Sequence, residues 1–359
     1  MRRILGIVLA VLLIGGVVAV ILAGGGPQDP EHTATKTVHG VIGSEKAEFF
    51  ADPDVVKALS AKGYTVKTET SGSWAMDQLP LKNYDFAFPS SSEPAKEVKA
   101  KSGTQGSSTV PFFSPLVVVT RAGTAQVLAD NGLAKLTGKN TGTLLMGEYV
   151  KAAREDRTWQ QLKGSAAHPE LLGKVLIRST DPTSSNSGAL YLAAVSNVAN
   201  SHTVVSDDQG VEATAPLLNK LTAPQGQQPP STDAPFREFV SGAGQPLVLV
   251  YESQVAALLL RGQPAGDMVV LYPDTTVNSD HTFVPLNDTS KELGELLATD
   301  PALRELAVRH GFRPQNGVQE FTKATAPHTA YLNQGLTGIN QVGTPTVKIL
   351  QKLAERAKG

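Results

Sequence analysis

The chain has 359 residues, a formal net charge of -1, no cysteine, and 41% hydrophobic against 18% charged residues. That length is roughly two domains' worth at ~150 residues each, enough to bury sizeable cores without disulfide or metal staples. The missing cysteine excludes a disulfide framework, a thiolate metal centre, a cysteine nucleophile and the thioether anchor of a bacterial lipoprotein, while the near-neutral charge lacks the basic excess of a nucleic-acid binder.

Arg2 and Arg3 precede an unbroken apolar run, Ile4 to Ala23. A helix rising 1.5 Å per residue needs ~20 such residues to cross the hydrocarbon core. The run predicts an N-terminal transmembrane helix within residues 1–26, spanning the plasma membrane through residues 4–23. The two arginines place its start in the cytoplasm and everything after it outside. A cleaved signal peptide is the alternative, although its apolar region is usually only ~7–15 residues long. Either way the remainder is exported, and without the two arginines it is mildly acidic. Gly24 to Lys36, which opens on three glycines and continues with Pro and polar side chains, reads as a flexible spacer, with residues 27–37 as the linker between anchor and domain.

From Val38 the pattern alternates strand, small polar loop and helix. Val38 to Ile42 is strand-like and ends in Gly43-Ser44, with a helix expected from Glu45 and a break at Asp52-Pro53. Tyr64 to Glu69 alternates as a strand and runs into Thr70-Ser71-Gly72-Ser73. Asp85 to Pro89 is a third strand, followed by Ser90-Ser91-Ser92. Phe112 to Arg121 is a long β-run carrying Pro115, and a helix is expected over Ala125 to Leu133. A polar loop, Arg178 to Gly188, precedes a helix over Ala189 to Asn200. Residues 209–232, rich in Pro, Gln and Ala, read as a surface excursion. Phe236 to Val240 is helical, Pro246 to Tyr251 a strand, Gln254 to Arg261 a helix and Met268 to Tyr272 a strand. Helices are expected from Asp300-Pro301 to near Arg309 and from about Thr346 to Ala357. Strands alternating with helices argue for a parallel α/β sheet, which binds ligands at the carboxyl ends of its strands.

Several of these loops resemble those of extracellular solute-binding proteins. They are the strand–Gly-Ser–helix frame at Ile42 to Phe50, Ser90 to Ser92, Ser179 to Gly188, Tyr251-Glu252-Ser253 and Tyr272 to Thr282. The resemblance covers about Val38 to Leu350 and points to the type 2 periplasmic-binding-protein fold, on its phosphate- and molybdate-binding side. It implies an α/β, two-lobed architecture with two interlobe crossovers, near Pro115 to Thr120 and Gly266 to Tyr272. Lobe one would be residues 38–116 and 269–359, and lobe two 117–267. It also implies a non-enzymatic receptor that closes on a small solute, an oxyanion such as phosphate or molybdate, and passes it to an ABC transporter permease. The chain departs from that family in lacking the lipobox cysteine, and the stretch after Gly311 matches no part of it.

The physical chemistry of the loops agrees with an oxyanion. A helix N-terminus leaves backbone N–H groups unpaired and carries partial positive charge, and serine hydroxyls beside it add donors. The candidate ligand-binding residues are Ser44, Ser71, Ser73, Ser90 and Ser91 from lobe one, and Ser184, Ser185, Asn186, Ser187 and the hydroxyl of Tyr251 from lobe two. Each one alone is also a plain helix cap, worth ~1 kcal/mol to folding. Arg178 offers a cation to an anionic solute or is a solvated arginine. Asp181 and Glu252 would repel a fully ionised oxyanion, accept a proton from a hydrogen phosphate or hold a cation. Trp74 is a pocket wall or core, and His281 either faces the cleft or makes a structural hydrogen bond.

No phosphate-binding glycine loop, dinucleotide fingerprint or Gly-x-Ser-x-Gly elbow is present, and no histidine pair has metal-binding helical spacing. No cofactor, metal or catalytic residue is therefore expected. A membrane-tethered signalling or scaffold protein on the same fold, binding a partner protein, is the alternative to a solute receptor.

Overall fold

The computed structural model describes residues 36–359, so the expected membrane helix over 4–23 lies outside the described residues. Among the described residues no helix is long and apolar enough to cross a membrane. The first strand begins at Lys36, two residues inside the expected linker.

Strands β1 (Lys36–Ile42), β2 (Tyr64–Thr70) and β3 (Phe86–Phe88) run parallel, in the order β2-β1-β3. Between β1 and β2 the helix breaks where expected: Asp52 is the N-cap of helix Pro53–Ala61, its carboxylate accepting from the Asp54 N–H, with proline at the first turn. β4 (Thr109–Arg121) then serves as a spine. Its first half pairs with β10 (Asn278–Pro285) on one side and β11 (Arg313–Pro314) on the other. From Leu116 onward its partners change to β7 (Val248–Tyr251) and β8 (Met268–Pro273). β8 pairs in parallel with β6 (Thr141–Leu144), and β6 in turn with β5 (Ala134–Leu136). The first crossover is therefore the change of partner within β4 at Pro115/Leu116.

The second crossover lies further on than the sequence reading placed it. β8 continues to Pro273 because Val269 to Leu271 fill the position between β4 and β6. The chain passes between the two sheet halves through Asp274 to Val277, where β9 (Thr275–Thr276) pairs with β12 (Asn340–Gln341). The sheet is also mixed, since β4 is antiparallel to β7, β8, β10 and β11.

The second half of β4 separates two cores by period-2 alternation. Leu116 and Val118 join a cluster with Leu249, Tyr251, Val269 and Leu271, whereas Val117 and Val119 join one with Val248, Val250, Val270 and Tyr272 on the other face. A third core, under β1 to β3, is aromatic: Phe49, Phe50, Phe86, Phe88, Phe112, Phe283 and Phe312 pack together. Phe86 stacks on Phe283 at 4.8 Å and Phe112 on Phe312 at 4.3 Å.

Two expectations fail here. Residues 209–232 do not form a loop throughout, because Asp208–Thr222 is a helix. Asp207 caps it through the Gly210 N–H, and Val211, Leu217, Leu218 and Leu221 bury one face, enough to carry the interior Pro216. The assignment of 269–359 to lobe one also fails for the C-terminal helix Val347–Lys358. Its Ile349, Leu350, Leu353, Ala354 and Ala357 enter the core of helices Asn186–Ala199 and Asp208–Thr222. Lys352 to Asp208 and Arg356 to Glu212 tie its polar side to the same neighbour.

Candidate functional site

The loops that begin the helices of both lobes converge on one cavity of about 200 Å³. Lobe one contributes Gly43, Ser44, Glu45, Thr70 to Ser73 and Ser90; lobe two contributes Ser185 to Ser187, Pro230 to Thr232 and Tyr251. Eight expected residues thus share one wall: Ser44, Ser71, Ser73, Ser90, Ser185, Asn186, Ser187 and Tyr251.

The two expected serines that stand at N-cap positions do not spend their hydroxyls on capping. Ser185 is the N-cap of helix Asn186–Ala199 and Ser91 that of helix Ser92–Ser102, yet neither side chain caps its own helix. Ser185 Oγ instead meets Ser187 Oγ at 3.1 Å, and Ser187 Oγ meets Thr180 Oγ1 at 2.8 Å. Ser73 Oγ accepts the Ser90 N–H at 3.0 Å and pairs with Ser90 Oγ at 3.2 Å. Burial, and then the Glu45 charge, push the Tyr251 phenol well up, so it remains a neutral donor at any ordinary pH.

Two expected residues do other work. Ser91 Oγ donates to Asn186 Oδ1, and Asn186 Nδ2 reaches the Ser90 carbonyl and the Tyr251 hydroxyl, each at 3.2 Å. Ser91 therefore pins the lobes together and does not line the cavity. Ser184 also stays off the wall. Its carbonyl accepts the Trp74 N–H at 3.4 Å, and a Cβ on Gly72 would sit 2.5 Å from it. Only glycine lets the 70–73 loop approach the 184–187 loop this closely. A further bridge between lobes runs from Ser44 Oγ to Asp233 Oδ2 at 2.9 Å. Trp74, placed as wall or core, is partly buried against the lobe-two core.

Behind the wall lies a buried charge cluster that sequence reasoning missed. Lys46 Nζ donates to Glu45 Oε1, to Ser90 Oγ at 3.2 Å and to His281 Nδ1 at 3.0 Å, and Ser90 Oγ also donates to Glu45 Oε1. Lys46 and His281 are fully enclosed, and Glu45 is 8% exposed, toward the cavity. Burial alone would raise the Glu45 carboxyl, but Lys46 and His281 reverse this and hold it well below the usual range. Burial first, then the Lys46 charge, lowers His281 to about 4, so its ring is neutral. Burial also draws the Lys46 ammonium down against the pull of Glu45. His281 thus takes the structural role and not the cleft-facing one. A lysine directly after an acidic first-turn residue reads as surface, and only the pairing of β10 with β4 brings His281 beneath it.

The other charged candidates lie elsewhere. Glu252 is fully buried against Arg313, whose Nη2 is 2.9 Å from Oε1, and the Tyr272 hydroxyl donates to the same carboxylate. Asp181 binds Lys358, and its Oδ1 accepts the Thr183 N–H at 2.9 Å. Arg178 donates to the Gln225 and Gln227 carbonyls. None of the three lines the cavity. Among the described residues no group of His, Asp and Glu side chains is placed to hold a metal.

The family model of bacterial extracellular solute-binding proteins matches residues 57–313. Among solved structures, the periplasmic thiamin-binding protein aligns with a TM-score of 0.56 at 13% identity, covering 94% of this chain and all of that one. The sulfate-binding protein SubI from Mycobacterium tuberculosis H37Rv gives 0.54 at 14% identity, over 82% of this chain and 92% of that one. The periplasmic binding protein AfuA from Actinobacillus pleuropneumoniae gives 0.54 at 14% identity, over 90% and 97%. No curated protein matches by sequence. The chain belongs to the bacterial extracellular solute-binding protein family, and its two-lobed fold is that of periplasmic binding proteins.

Proposed function

We propose that this member of the solute-binding family is the receptor of an ABC permease, holding an oxyanion-bearing solute between its lobes. It is tethered outside the plasma membrane through residues 4–23. One observation carries the reading: hydroxyls from the loops at helix starts of both lobes line a single cavity, and that of Ser185 leaves its own helix uncapped. Such donors, with the helix starts behind them, hold negative charge without a counter-cation. Lys46, next to the cavity-lining Glu45, is sealed behind it.

Glu45 sets the terms. A carboxylate on the wall repels a fully ionised tetrahedral anion and accepts a hydrogen bond from one that keeps a proton. The favoured head group is therefore a hydrogen phosphate or a comparable oxyacid. A solute touching both walls adds to the bridges already made by Ser44–Asp233 and Asn186–Ser90, and so shifts an open–closed equilibrium toward closure. The similar proteins are named for binding sulfate and thiamin, and AfuA holds fructose 6-phosphate, so the fold leaves the solute to the site.

The test is thermal unfolding of the full chain in detergent, stripped of ligand, with inorganic oxyanions, phosphate monoesters, amino acids and neutral sugars. A ligand of the folded state stabilises it by about 2.7 kcal/mol at a hundredfold excess over Kd. Stabilisation by phosphate-bearing compounds and not by neutral sugars is the expected result; no response to any compound sets the receptor reading aside. The N-terminal mass of the membrane-associated protein checks the tether, since a start near Gly24 means a cleaved signal.

A further inference from the structure

The small cavity does not end at its wall. Ser44, Glu45 and Thr70 also border a second interlobe cleft of about 660 Å³. That is the size of sites that enclose organic ligands, and a bare tetrahedral anion in the small cavity leaves it to water. The cleft has an apolar side: Phe236, Val240, Ala257 and Leu258 line it. Val240 is 37% exposed, one of few large apolar side chains left open to solvent among the described residues.

The charges around the cleft differ in one respect. Glu48 is taken by Arg261, which also reaches His310 Nδ1 at 3.1 Å. His310 in turn meets Asp52 at 2.8 Å. Asp233 is taken by Ser44, Ser231 and Gln254. Arg237, exposed on helix Asp233–Val240, lines the cleft and pairs with no carboxylate among the described residues. A guanidinium with no carboxylate partner, beside an apolar surface in an interlobe cleft, suits a planar acid group bound in fork geometry.

We propose that the solute is an organic oxyacid and not a bare inorganic anion. Its oxyanion head occupies the hydroxyl-lined cavity, its body lies along Phe236 and Val240, and a second acid group meets Arg237. This rests on the receptor reading above and specifies the class of solute.

The experiment is calorimetric titration of the full chain with inorganic phosphate, glycerol 3-phosphate and 3-phosphoglycerate, which add first a body and then a carboxylate to one head group. The expected result is affinity rising along that series, at least tenfold from first to last. Arg237→Ala should collapse the step between the two esters. Val240→Asp, at an exposed position, places a second like charge beside the body and should weaken 3-phosphoglycerate more than inorganic phosphate. Inorganic phosphate binding as tightly as either ester overturns the inference while the receptor reading stands. An ester advantage that survives Arg237→Ala overturns the assignment of Arg237. Binding of none of the three overturns this inference, and if the wider compound panel is silent as well, the receptor reading falls with it.

Discussion

Glu45 and Glu252 both open a helix at the end of a strand, and both are buried carboxylates paired with a buried cation. They differ in what closes the circle. Glu252 is sealed: Arg313 binds both of its oxygens and donates onward to the Asn333 and Gln334 carbonyls, and Tyr272 completes the shell. It fastens the segment after Gly311 onto the lobe-two core, where Phe321 and Leu332 pack. Glu45 is backed by Lys46, His281 and Ser90 on one oxygen only, and its open side borders the cavity. The same local sequence, an acid in the first turn after a β-strand, yields a staple in one lobe and a cavity-facing group in the other. The distinction lies in whether a distant arginine arrives to close it.

Breaking the sealed pair should cost most. Arg313→Ala leaves Glu252 charged and enclosed, and removing one partner of a buried ion pair costs about 3–5 kcal/mol. Urea unfolding should show that loss. A change below about 1 kcal/mol would mean the pair is replaceable. Lys46→Met breaks the open cluster instead, and its cost should be smaller because the exposed side of Glu45 can be hydrated from the cavity.

The open cluster has its own signature in pH. His281 titrates at about 4 in the fold and near 6.5 in the unfolded chain. Between those values the unfolded state binds more protons, so stability rises with pH across the window. Equivalently, the contribution is complete above about pH 6.5 and is lost as pH falls toward 4. The difference corresponds to on the order of 3 kcal/mol. Stability measured from pH 7 to 4 should fall accordingly, and His281→Asn should flatten this part of the profile. The depressed Glu45 carboxyl acts in the same direction but only below about pH 4.5. A profile unaltered in His281→Asn would remove this signature of the open cluster.

Affinity offers a finer test. Ser185→Ala removes a hydroxyl that caps nothing and holds only Ser187 Oγ, so its cost should fall more on binding than on folding. A hydrogen bond to a charged ligand is worth roughly 1.5–3 kcal/mol, a tenfold or greater loss of affinity. Ser90→Ala removes a cavity hydroxyl and one contact of the Glu45–Lys46 cluster together, so it should weaken binding and lower stability. Equal affinities in wild type and Ser185→Ala would displace the site.

Much of the cavity lining was legible in the sequence because its physics is local. A strand end, a small polar loop and a helix start follow from short-range pattern, and eight of the ten residues so chosen line the cavity. Residues that reach the site through tertiary pairing were not legible. His281 arrives because β10 pairs with β4, and Asp233 because helix Asp233–Val240 starts opposite Ser44. Strands of three or four residues, β5 and β6, carry too little alternation to register. Helix Asp208–Thr222 was hidden by Pro216, whose cost only the C-terminal helix reveals as met.

A third acid, Asp181, sharpens the comparison with the smallest effect. It too follows a strand-like segment and precedes a helix, and its side chain pairs with Lys358 at the surface, where Lys358 is 45% exposed. Water screens this pair, and such pairs contribute about 0–1 kcal/mol. Asp181 has a second task, since its carboxylate Oδ1 accepts from the Thr183 N–H and hydroxyl and its backbone carbonyl accepts the Ser185 N–H at 2.8 Å, shaping the turn before the helix. Lys358→Ala removes the ion pair and leaves that turn, so it should shift stability by less than about 1 kcal/mol and leave solute affinity unchanged. Asp181→Asn keeps an acceptor for Thr183 and should behave the same way. If either variant lowered affinity tenfold, charge at the outer end of the loop would reach the cavity. Enclosure would then not be what separates an acid that shapes binding from one that only decorates the surface.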